Sequence, residues 1–300
     1  MKWFNRLIVW ILPIFPKPFI WIFSKRYIAG KTLDEAIQTA KSLNEEGCLV
    51  TMDVLGEDIS DLKEATAAKE ECLRMIAALH EFGIKGSASI KLTQLGLQID
   101  PEACYQNVKE ILTFAKQSNC FVRIDMEDHT TTDATLELYR RLRKDFNNLG
   151  TVIQAYLFRS QDDVKELIKD KIANLRVCKG IYIEPKSIAF KRKNQIRDNY
   201  KDIIHLMLDS GSFVGIATHD KVLVGRSLSL IDGYKISRDK YEFQMLLGVT
   251  EKLRRKLVQD GHAMRIYVPY GEQWYAYSMR RLAENPGVAG HIVKNLFVRS

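Results

Sequence analysis

The chain has 300 residues, of which 46% are hydrophobic and 27% are charged. This composition is ordinary for a globular protein, and the lack of low-complexity tracts excludes disorder as the main state. The formal net charge of +8 raises the question of a nucleic-acid partner. No nucleic acid is expected, because the sequence has no zinc-ligand spacing, no helix-turn-helix or RNA-binding signature, and no aromatic residues within its basic stretch.

Residues 1–30 form an apolar, basic segment, which we expect to be distinct from a catalytic domain over residues 31–300. The segment has no acidic residue, and prolines interrupt its apolar run from Leu7 to Phe23. A cleaved signal peptide fits poorly because no small-residue cleavage site follows, and a spanning helix fits poorly because the run is short and broken. A basic segment with tryptophans can instead lie in the membrane interface. We expect peripheral attachment to an anionic membrane surface; a helix packed on the domain or on a partner subunit is the alternative.

From residue 30 onward, short apolar or β-branched runs alternate with longer helical patterns such as Asp58–Phe82, Pro101–Ser118 and Thr132–Asn147. Eight strands are predicted, at Cys48–Leu55, Gly86–Leu92, Cys120–Met126, Thr151–Leu157, Leu175–Tyr182, Phe213–His219, Tyr241–Leu247 and Met264–Tyr270. This alternation is typical of parallel βα units, and eight units fit a closed (β/α)8 barrel of the TIM type. A doubly wound sheet is less favoured, since no G-x-G-x-x-G motif follows any strand.

The five cysteines are an odd number without metal-ligand spacing, which suits a reducing, cytoplasmic compartment. Cys48, Cys120 and Cys178 stand in strand-like runs, where a buried thiol that acts as a small hydrophobe is expected more than a catalytic one.

Polar residues stand at the carboxyl end of nearly every predicted strand, where barrels of this type build their active sites. They are Lys91, Asp125, Glu127, Gln154, Arg176, Lys179, Thr218, His219, Gln244 and Tyr267. A single polar residue at such a position is usually a buried group whose hydrogen bonds are made within the core. A set that spans most strands instead predicts chemistry at this end of the barrel.

Two further clusters indicate anionic ligands. Tyr277, Arg280 or Arg281, and Glu284 share one face of the helix predicted after the last strand. Adjacent arginines can clamp a carboxylate with bidentate hydrogen bonds, although a solvated surface pair is the common alternative. The second cluster is a basic stretch with few acids, which suits an anion or a solvated face. It contains Lys179, Lys186, Lys191, Arg192, Lys193, Arg197 and Lys201.

Five segments, in order and in spacing, resemble the proline dehydrogenase family. They are Leu175–Glu184 (LRVCKGIYIE), Ala217–His219 (ATH), Tyr241–Gly248 (YEFQMLLG), Arg265–Gly271 (RIYVPYG) and Tyr277–Asn285 (YSMRRLAEN). Shorter matches in SIKL, RIDMED, VIQAY and YIAG extend the resemblance over residues 25–297.

The resemblance implies an FAD-dependent oxidation of L-proline to Δ1-pyrroline-5-carboxylate, the first step of proline catabolism, in a barrel without a Rossmann domain. It assigns Gln154, Arg176, Lys179, Thr218, His219 and Glu284 to the cofactor side. Lys191 stands where the family often has a threonine that contacts the cofactor, and we expect it to meet the flavin's phosphates instead; a solvated loop is the alternative. It assigns Lys91, Leu246, Tyr267, Tyr277, Arg280 and Arg281 to the substrate. The residues it implicates in catalysis are Arg176, Lys91, Asp125 and Tyr267, with Asp125 and Glu284 as the acids that hold tyrosine and arginine in place. No metal is implied.

Physical chemistry agrees with these roles, because Arg176 can stabilise negative charge on a reduced flavin. Lys91, Arg280 and Arg281 can hold a carboxylate and disfavour an ammonium form of the substrate by repulsion. The chain departs from the family pattern at Ile181, Lys191 and Asp220, where smaller residues, threonine and asparagine respectively are usual.

The expected electron acceptor is a membrane quinone, and the pyrroline product is expected to pass to a separate pyrroline-5-carboxylate dehydrogenase. Three alternatives stay open: another flavin-dependent barrel oxidoreductase, a hydroxyproline-preferring relative, and a non-catalytic proline sensor or membrane-bound scaffold. The bulk of Tyr267 argues against hydroxyproline. The presence of Arg176, Arg280 and Arg281 with Tyr267 argues against a scaffold.

Overall fold

Eight parallel strands close into a barrel in chain order, with the last strand pairing with the first. The computed structural model describes residues 17–56 and 59–284, without the side chains of residues 19, 23 and 280–284. The strands are β1 (Leu49–Val54), β2 (Gly86–Ile90), β3 (Phe121–Ile124), β4 (Leu149–Gln154), β5 (Asn174–Cys178), β6 (Phe213–Ala217), β7 (Tyr241–Leu246) and β8 (Met264–Tyr270). The predicted (β/α)8 fold is confirmed.

Helices alternate with the strands and surround them. They are α1 (Lys17–Ser24), α2 (Leu33–Glu45), α3 (Leu62–Glu81), α4 (Pro101–Gln117), α5 (Thr132–Arg143), α6 (Ser160–Lys169), α7 (Lys193–Asp209), α8 (Lys221–Gly233), α9 (Glu251–Gln259) and α10 (Trp274–Glu284). A short 3-10 turn, Arg238–Lys240, precedes β7.

Helix starts follow from local capping residues. Asp61 accepts hydrogen bonds from the first-turn amides of α3, so this helix begins four residues after the predicted Asp58. Thr32 and Glu35 form a reciprocal capping box at α2, and Asp100 caps α4 ahead of Pro101. Each cap satisfies amides that have no partner within the helix.

The hydrophobic core lies between the strands and the helices. Cys104, Val108, Ile111 and Ala115 of α4 show the pattern, since they recur at helical spacing and are fully buried. The five cysteines are free thiols. Burial raises the pKa of Cys104 to about 12, as expected for an unreactive core thiol; Cys48 and Cys120 are also buried, whereas Cys178 is only half-buried.

Strands β4 and β5 end earlier than the apolar runs predict. Gly180 has a φ of +100°, and a side-chain carbon there would lie 2.2 Å from the Tyr156 ring. The positive φ of Gly180 turns the chain out of the sheet just after Lys179, whose carbonyl still accepts from the amide of Tyr156 at 2.9 Å, and residues 181–182, predicted as strand, become part of a loop. The early ends allow the loops to build a cavity above the barrel.

The described part of the N-terminal segment packs on the barrel. The rings of Trp21 in α1 and Trp274 in α10 meet edge to face at 4.7 Å. The amide of Ala29 donates to the carbonyl of Pro269 at 2.9 Å. Residues 1–16, which carry most of the predicted interfacial segment, lie outside the described residues. Among the helices described, none has the length and apolar character needed to cross a membrane.

Candidate active site

A cavity of about 670 Å³ lies at the carboxyl ends of the strands, within the range of about 300–1,000 Å³ usual for small-molecule sites. The predicted site residues whose side chains are described line this cavity, except Lys191 and Glu127. These lining residues are Lys91, Asp125, Gln154, Arg176, Lys179, Thr218, His219, Gln244, Leu246, Tyr267 and Tyr277. Glu127 instead accepts hydrogen bonds from the amide and hydroxyl of Thr93. Residues that sequence reasoning had not proposed for the site complete the lining, among them Met126, Tyr182, Met245 and Val249.

Asp125 is the centre of a hydrogen-bond network that crosses the barrel. Its Oδ1 accepts from Arg176 Nη1 at 2.5 Å and from Ser89 Oγ at 2.7 Å. Its Oδ2 accepts from the phenol of Tyr267 at 2.7 Å. Because β3 neighbours neither β5 nor β8, the bonds to Arg176 and Tyr267 pass through the barrel interior and lock three strands together.

The protonation state of this network follows from its charges. Burial alone would raise the pKa of Asp125, but the positive charges of Arg176 and Lys91 outweigh it and hold this pKa below its ordinary value. Burial and the nearby carboxylates raise the pKa of Tyr267 well above its usual range. Asp125 is therefore an anion that only accepts, and Tyr267 keeps its proton and donates.

Lys91 is held by a carboxylate that sequence reasoning missed. Its Nζ lies 2.6 Å from Asp53 Oδ1 and 3.9 Å from Asp125 Oδ2. Burial disfavours the ammonium, but the attraction of Asp53 and Asp125 prevails and raises the pKa of Lys91. Asp53 and Asp125 partly neutralise the charge of Lys91. Lys91 therefore repels a substrate ammonium less than an unpaired lysine would. The sequence feature that could have identified Asp53 is its position as the one acidic residue in the apolar run LVTMDV of β1.

A second group of polar side chains holds Arg176 and so supports the Asp125 network. Arg176 Nε donates to Gln244 Oε1 at 2.7 Å, and Gln244 Nε2 donates to Glu242 Oε1 at 2.6 Å. Arg265 then contacts both oxygens of Glu242, at 2.6 and 3.0 Å. Gly215 leaves room for this layer, since a side-chain carbon there would lie 2.4 Å from Gln244 Nε2. Glu242 and Arg265 were not predicted as site residues. The signal that could have found them is their alternation with apolar residues, which is typical of strand positions that share one face.

The wall formed by β4 to β6 offers polar groups to a bound ligand. Gln154 Nε2 donates to the carbonyl of Met126 at 3.2 Å, whereas its buried Oε1 has no hydrogen-bond partner in the described part of the chain. A buried acceptor without a partner is costly, so a bound N–H group would satisfy it. His219 Nε2 accepts the amide proton of Leu246 at 2.9 Å, which leaves the ring proton on Nδ1.

Asp220 has a structural explanation for its departure from the family pattern. It accepts two hydrogen bonds from Arg197, at 2.8 and 2.9 Å, and one from the amide of Val222 at the start of α8. Burial would raise its pKa, but the hydrogen bonds from Arg197 and Val222 lower it to about 2. Asp220 therefore caps a helix and anchors α7, at a position that also borders the cavity.

The remaining predicted site residues are Lys191 and those of the arginine clamp on the last helix. Lys191 Nζ donates to the backbone carbonyl of Glu184, and Lys191 is not among the residues that line the cavity. Arg280, Arg281 and Glu284 belong to α10, the helix that carries Tyr277, but their side chains are outside the described ones. Among the described residues, no group of three His, Cys, Asp or Glu is arranged to hold a metal ion.

Comparison with known proteins agrees on one family. The family model described as proline dehydrogenase matches residues 36–294. Proline dehydrogenase 1 of Bacillus subtilis (strain 168) is 38% identical over 273 residues, which are 91% of this chain and 90% of the relative. The proline dehydrogenase of Deinococcus radiodurans is 35% identical over 282 residues, which are 92% of this chain and 91% of the relative.

A solved structure shares the fold. It is proline utilization A (PutA) from Bdellovibrio bacteriovorus inactivated by N-propargylglycine, with a TM-score of 0.83 and 25% sequence identity. The match covers 88% of this chain but 32% of that one, so this chain spans about a third of the length of that larger protein.

Proposed function

This chain belongs to the proline dehydrogenase family, and on that premise we propose that its barrel binds FAD and oxidises L-proline to Δ1-pyrroline-5-carboxylate. The observation that carries the proposal is the network of Asp125 with Arg176 and Tyr267 in the wall of the cavity. A buried array of this kind presents fixed charges and donors to a bound ligand, which a barrel serving only as a scaffold does not require.

The cofactor side of the proposal consists of Gln154, Arg176, Lys179, Thr218, His219, Lys191 and Glu284. Bound FAD would supply the acceptor for the hydride that leaves Cδ of proline, the carbon next to nitrogen that does not bear the carboxylate. Arg176 supplies a fixed positive charge where negative charge accumulates, and Asp125 and Gln244 hold its guanidinium in place. Gln154 Oε1 offers the unpartnered acceptor, and Lys179, with its side chain 40% exposed, offers a cation for a phosphate group.

The substrate side consists of Lys91, Leu246, Tyr267, Tyr277, Arg280 and Arg281. Lys91, Arg280 and Arg281 bind the proline carboxylate, and Leu246 with the two tyrosines encloses the ring. Tyr267 is positioned by Asp125, and Lys91 is positioned by Asp53. Both donors are therefore oriented before the substrate arrives, which avoids the cost of ordering them upon binding.

The electrons are proposed to pass to a membrane quinone. The acid-free, basic segment over residues 1–30 supports this part, because it suits peripheral attachment to anionic lipid on the cytoplasmic face. The catalytic barrel is assigned to residues 31–300. The pyrroline product would then be consumed by a separate pyrroline-5-carboxylate dehydrogenase.

The test is an absorption spectrum of the purified chain, recorded anaerobically before and after addition of L-proline. We expect a yellow protein whose flavin band is bleached by L-proline without nicotinamide, and much less readily by hydroxyproline. A colourless protein that cannot be reconstituted with FAD would overturn the proposal.

Attachment to the membrane needs its own measurement. Removal of residues 1–16 should weaken binding to anionic vesicles at low salt while leaving flavin content unchanged. The deletion stops before Lys17 because α1 packs against α10 through Trp21 and Trp274. If the full-length chain does not bind anionic vesicles, the membrane-quinone part of the proposal is wrong.

A further inference from the structure

The loop that follows β5, residues 179–192 and here called the β5 loop, exposes an unusual apolar surface. The side chain of Ile183 is fully exposed, with a relative exposure of 101%. Ile181 borders the cavity and is also exposed. Phe158, on the adjoining loop after β4, is half exposed and meets Phe190 of the β5 loop edge to face at 4.6 Å. The β5 loop and the adjoining loop thus expose apolar side chains at and beyond the rim of the cavity.

The inner side of the β5 loop is anchored, so the exposure of Ile183 is built into the fold. Glu184, next to Ile183, is buried and accepts a 3.1 Å hydrogen bond from the phenol of Tyr156. The amide of Phe190 donates to the carbonyl of Tyr156 at 2.7 Å, and the amide of Phe158 donates to the carbonyl of Ile188 at 2.9 Å. These contacts turn Glu184 inward and Ile183 outward.

The surroundings of Ile183 are strongly basic. Lys179, Lys186, Lys191, Arg192 and Lys193 stand in or directly after the β5 loop, against a single acid, Glu184. Glu184 is buried beneath the loop beside His129. The acid that contacts Lys179, Asp220, is nearly buried and also pairs with Arg197. The exposed side of the loop therefore presents positive charge around an apolar tip.

We propose that the β5 loop docks the mouth of the cavity onto an anionic lipid bilayer, with Ile183 inserted among the acyl chains and Lys186 and Arg192, which are exposed and do not line the cavity, facing the headgroups. Apolar side chains surrounded by lysine and arginine match both layers of such a surface. The loop borders the cavity through Ile181, so docking brings the mouth to the lipid in which a quinone is dissolved. Only this last step rests on the proposed function; the docking itself does not.

The experiment places a polarity-sensitive nitrobenzoxadiazole probe on the full-length chain through Ile183→Cys. The matched control is Phe82→Cys, since Phe82 is another exposed apolar residue and lies before β2, at the opposite end of the barrel. Labelled wild-type protein sets the background from Cys178. Each protein is mixed with vesicles of phosphatidylglycerol and phosphatidylcholine, or of phosphatidylcholine alone.

With anionic vesicles, the probe at position 183 should shift to shorter wavelength and be quenched by spin-labelled lipid, whereas the probe at position 82 should not. Without phosphatidylglycerol, neither should change. Ile183→Ser should weaken vesicle binding about tenfold, because one buried aliphatic side chain is lost from the interface, and Phe82→Ser should leave it unchanged.

Two results would overturn the proposal. Vesicle binding with the 183 probe still in water would mean that another segment, such as residues 1–16, makes the contact. A change in oligomeric state upon Ile183→Ser, with vesicle affinity unchanged, would identify the loop as an interface between copies of the chain. Both readouts are independent of proline turnover, so a failure of docking is distinguishable from a failure of the proposed activity.

Discussion

The phenol of Tyr267 and the carboxylate of Asp125 are joined by a 2.7 Å hydrogen bond, although the two residues are 142 positions apart in the chain. Asp125 also pairs with Arg176 at 2.5 Å, and the Arg176 guanidinium carbon lies 5.3 Å from the centre of the Tyr267 ring. One carboxylate thus orients a donor proposed for the substrate and a cation proposed for the flavin. Changes to this unit should affect catalysis more than folding.

Tyr267→Phe removes the hydrogen bond and keeps the ring. A hydrogen bond to a charged group contributes about 1.5–3 kcal/mol, so kcat/KM for L-proline should fall roughly tenfold to a hundredfold. Stopped-flow reduction of the flavin measures the loss. The control is Tyr241→Phe, which removes a 2.9 Å contact with His262 at the amino end of β7 and should leave reduction unaffected. Equal rates for Tyr267→Phe and wild type would mean that the phenol has no part in the reaction.

Asp53 and Lys91 should be coupled in stability. Breaking a buried ion pair from one side costs about 3–5 kcal/mol, because the remaining group loses its partner. Asp53→Asn and Lys91→Met should each lower the free energy of unfolding, measured in urea. The double variant should lose less than the sum of the two, since the second change removes a group that is already unpaired. Strict additivity would show that the 2.6 Å contact contributes nothing as a pair.

Arg280→Met and Arg281→Met test the proposed carboxylate clamp on α10. Loss of one partner of a desolvated charge pair costs about 2–5 kcal/mol, which corresponds to a loss of roughly thirtyfold or more in kcat/KM. Because the carboxylate is bound in the ground state and the transition state alike, most of the loss should appear in KM. Flavin content should barely change. A near wild-type KM for both variants would assign carboxylate binding to Lys91 alone.

Asp220 should make the stability of the fold depend on acid. Its pKa of about 2 is below the ordinary value near 4, so the folded state binds this proton less readily than the unfolded state. The stabilisation is complete above that ordinary pKa and is lost as the pH falls from about 4 towards 2. At roughly 1.4 kcal/mol per pKa unit it amounts to about 2.5 kcal/mol.

The check compares wild type with Asp220→Asn in urea unfolding series from pH 7 to pH 3. Asparagine keeps the helix cap and removes the charge that pairs with Arg197. The difference in unfolding free energy should be largest at pH 7 and shrink below pH 4. Asp232→Asn, on the exposed face of α8, provides the control. A difference that stays constant with pH would assign the effect to packing instead.

Lys179 and Lys191 should differ in their effect on the flavin. Lys179 lines the cavity, whereas Lys191 Nζ contacts the carbonyl of Glu184 outside that lining. Lys179→Ala should weaken FAD binding, measured by the flavin retained after gel filtration, more than Lys191→Ala does. A larger loss with Lys191→Ala would mean that the β5 loop rearranges when FAD binds.

Much of the architecture was determined locally by the sequence. Apolar runs and helical periods are properties of neighbouring residues, so the eight βα units, their order and most strand positions could be predicted without tertiary information. The polar ends of the strands also predicted the lining of the cavity, because parallel strands in a barrel bring their carboxyl ends to one face. The family motifs then indicated the reaction.

Which polar residues pair with one another was decided only by closure of the barrel. Closure places β8 beside β1 and brings β3, β5 and β8 around one interior, which gives Asp125 its partners Arg176 and Tyr267. The direct pairing of β1 with β2 gives Lys91 its counter-ion Asp53. The strand ends also depended on tertiary contacts, since the Tyr156 ring leaves no room for a side chain at position 180. Such constraints arise between residues far apart in the chain, and local hydrophobic patterns contain no information about them.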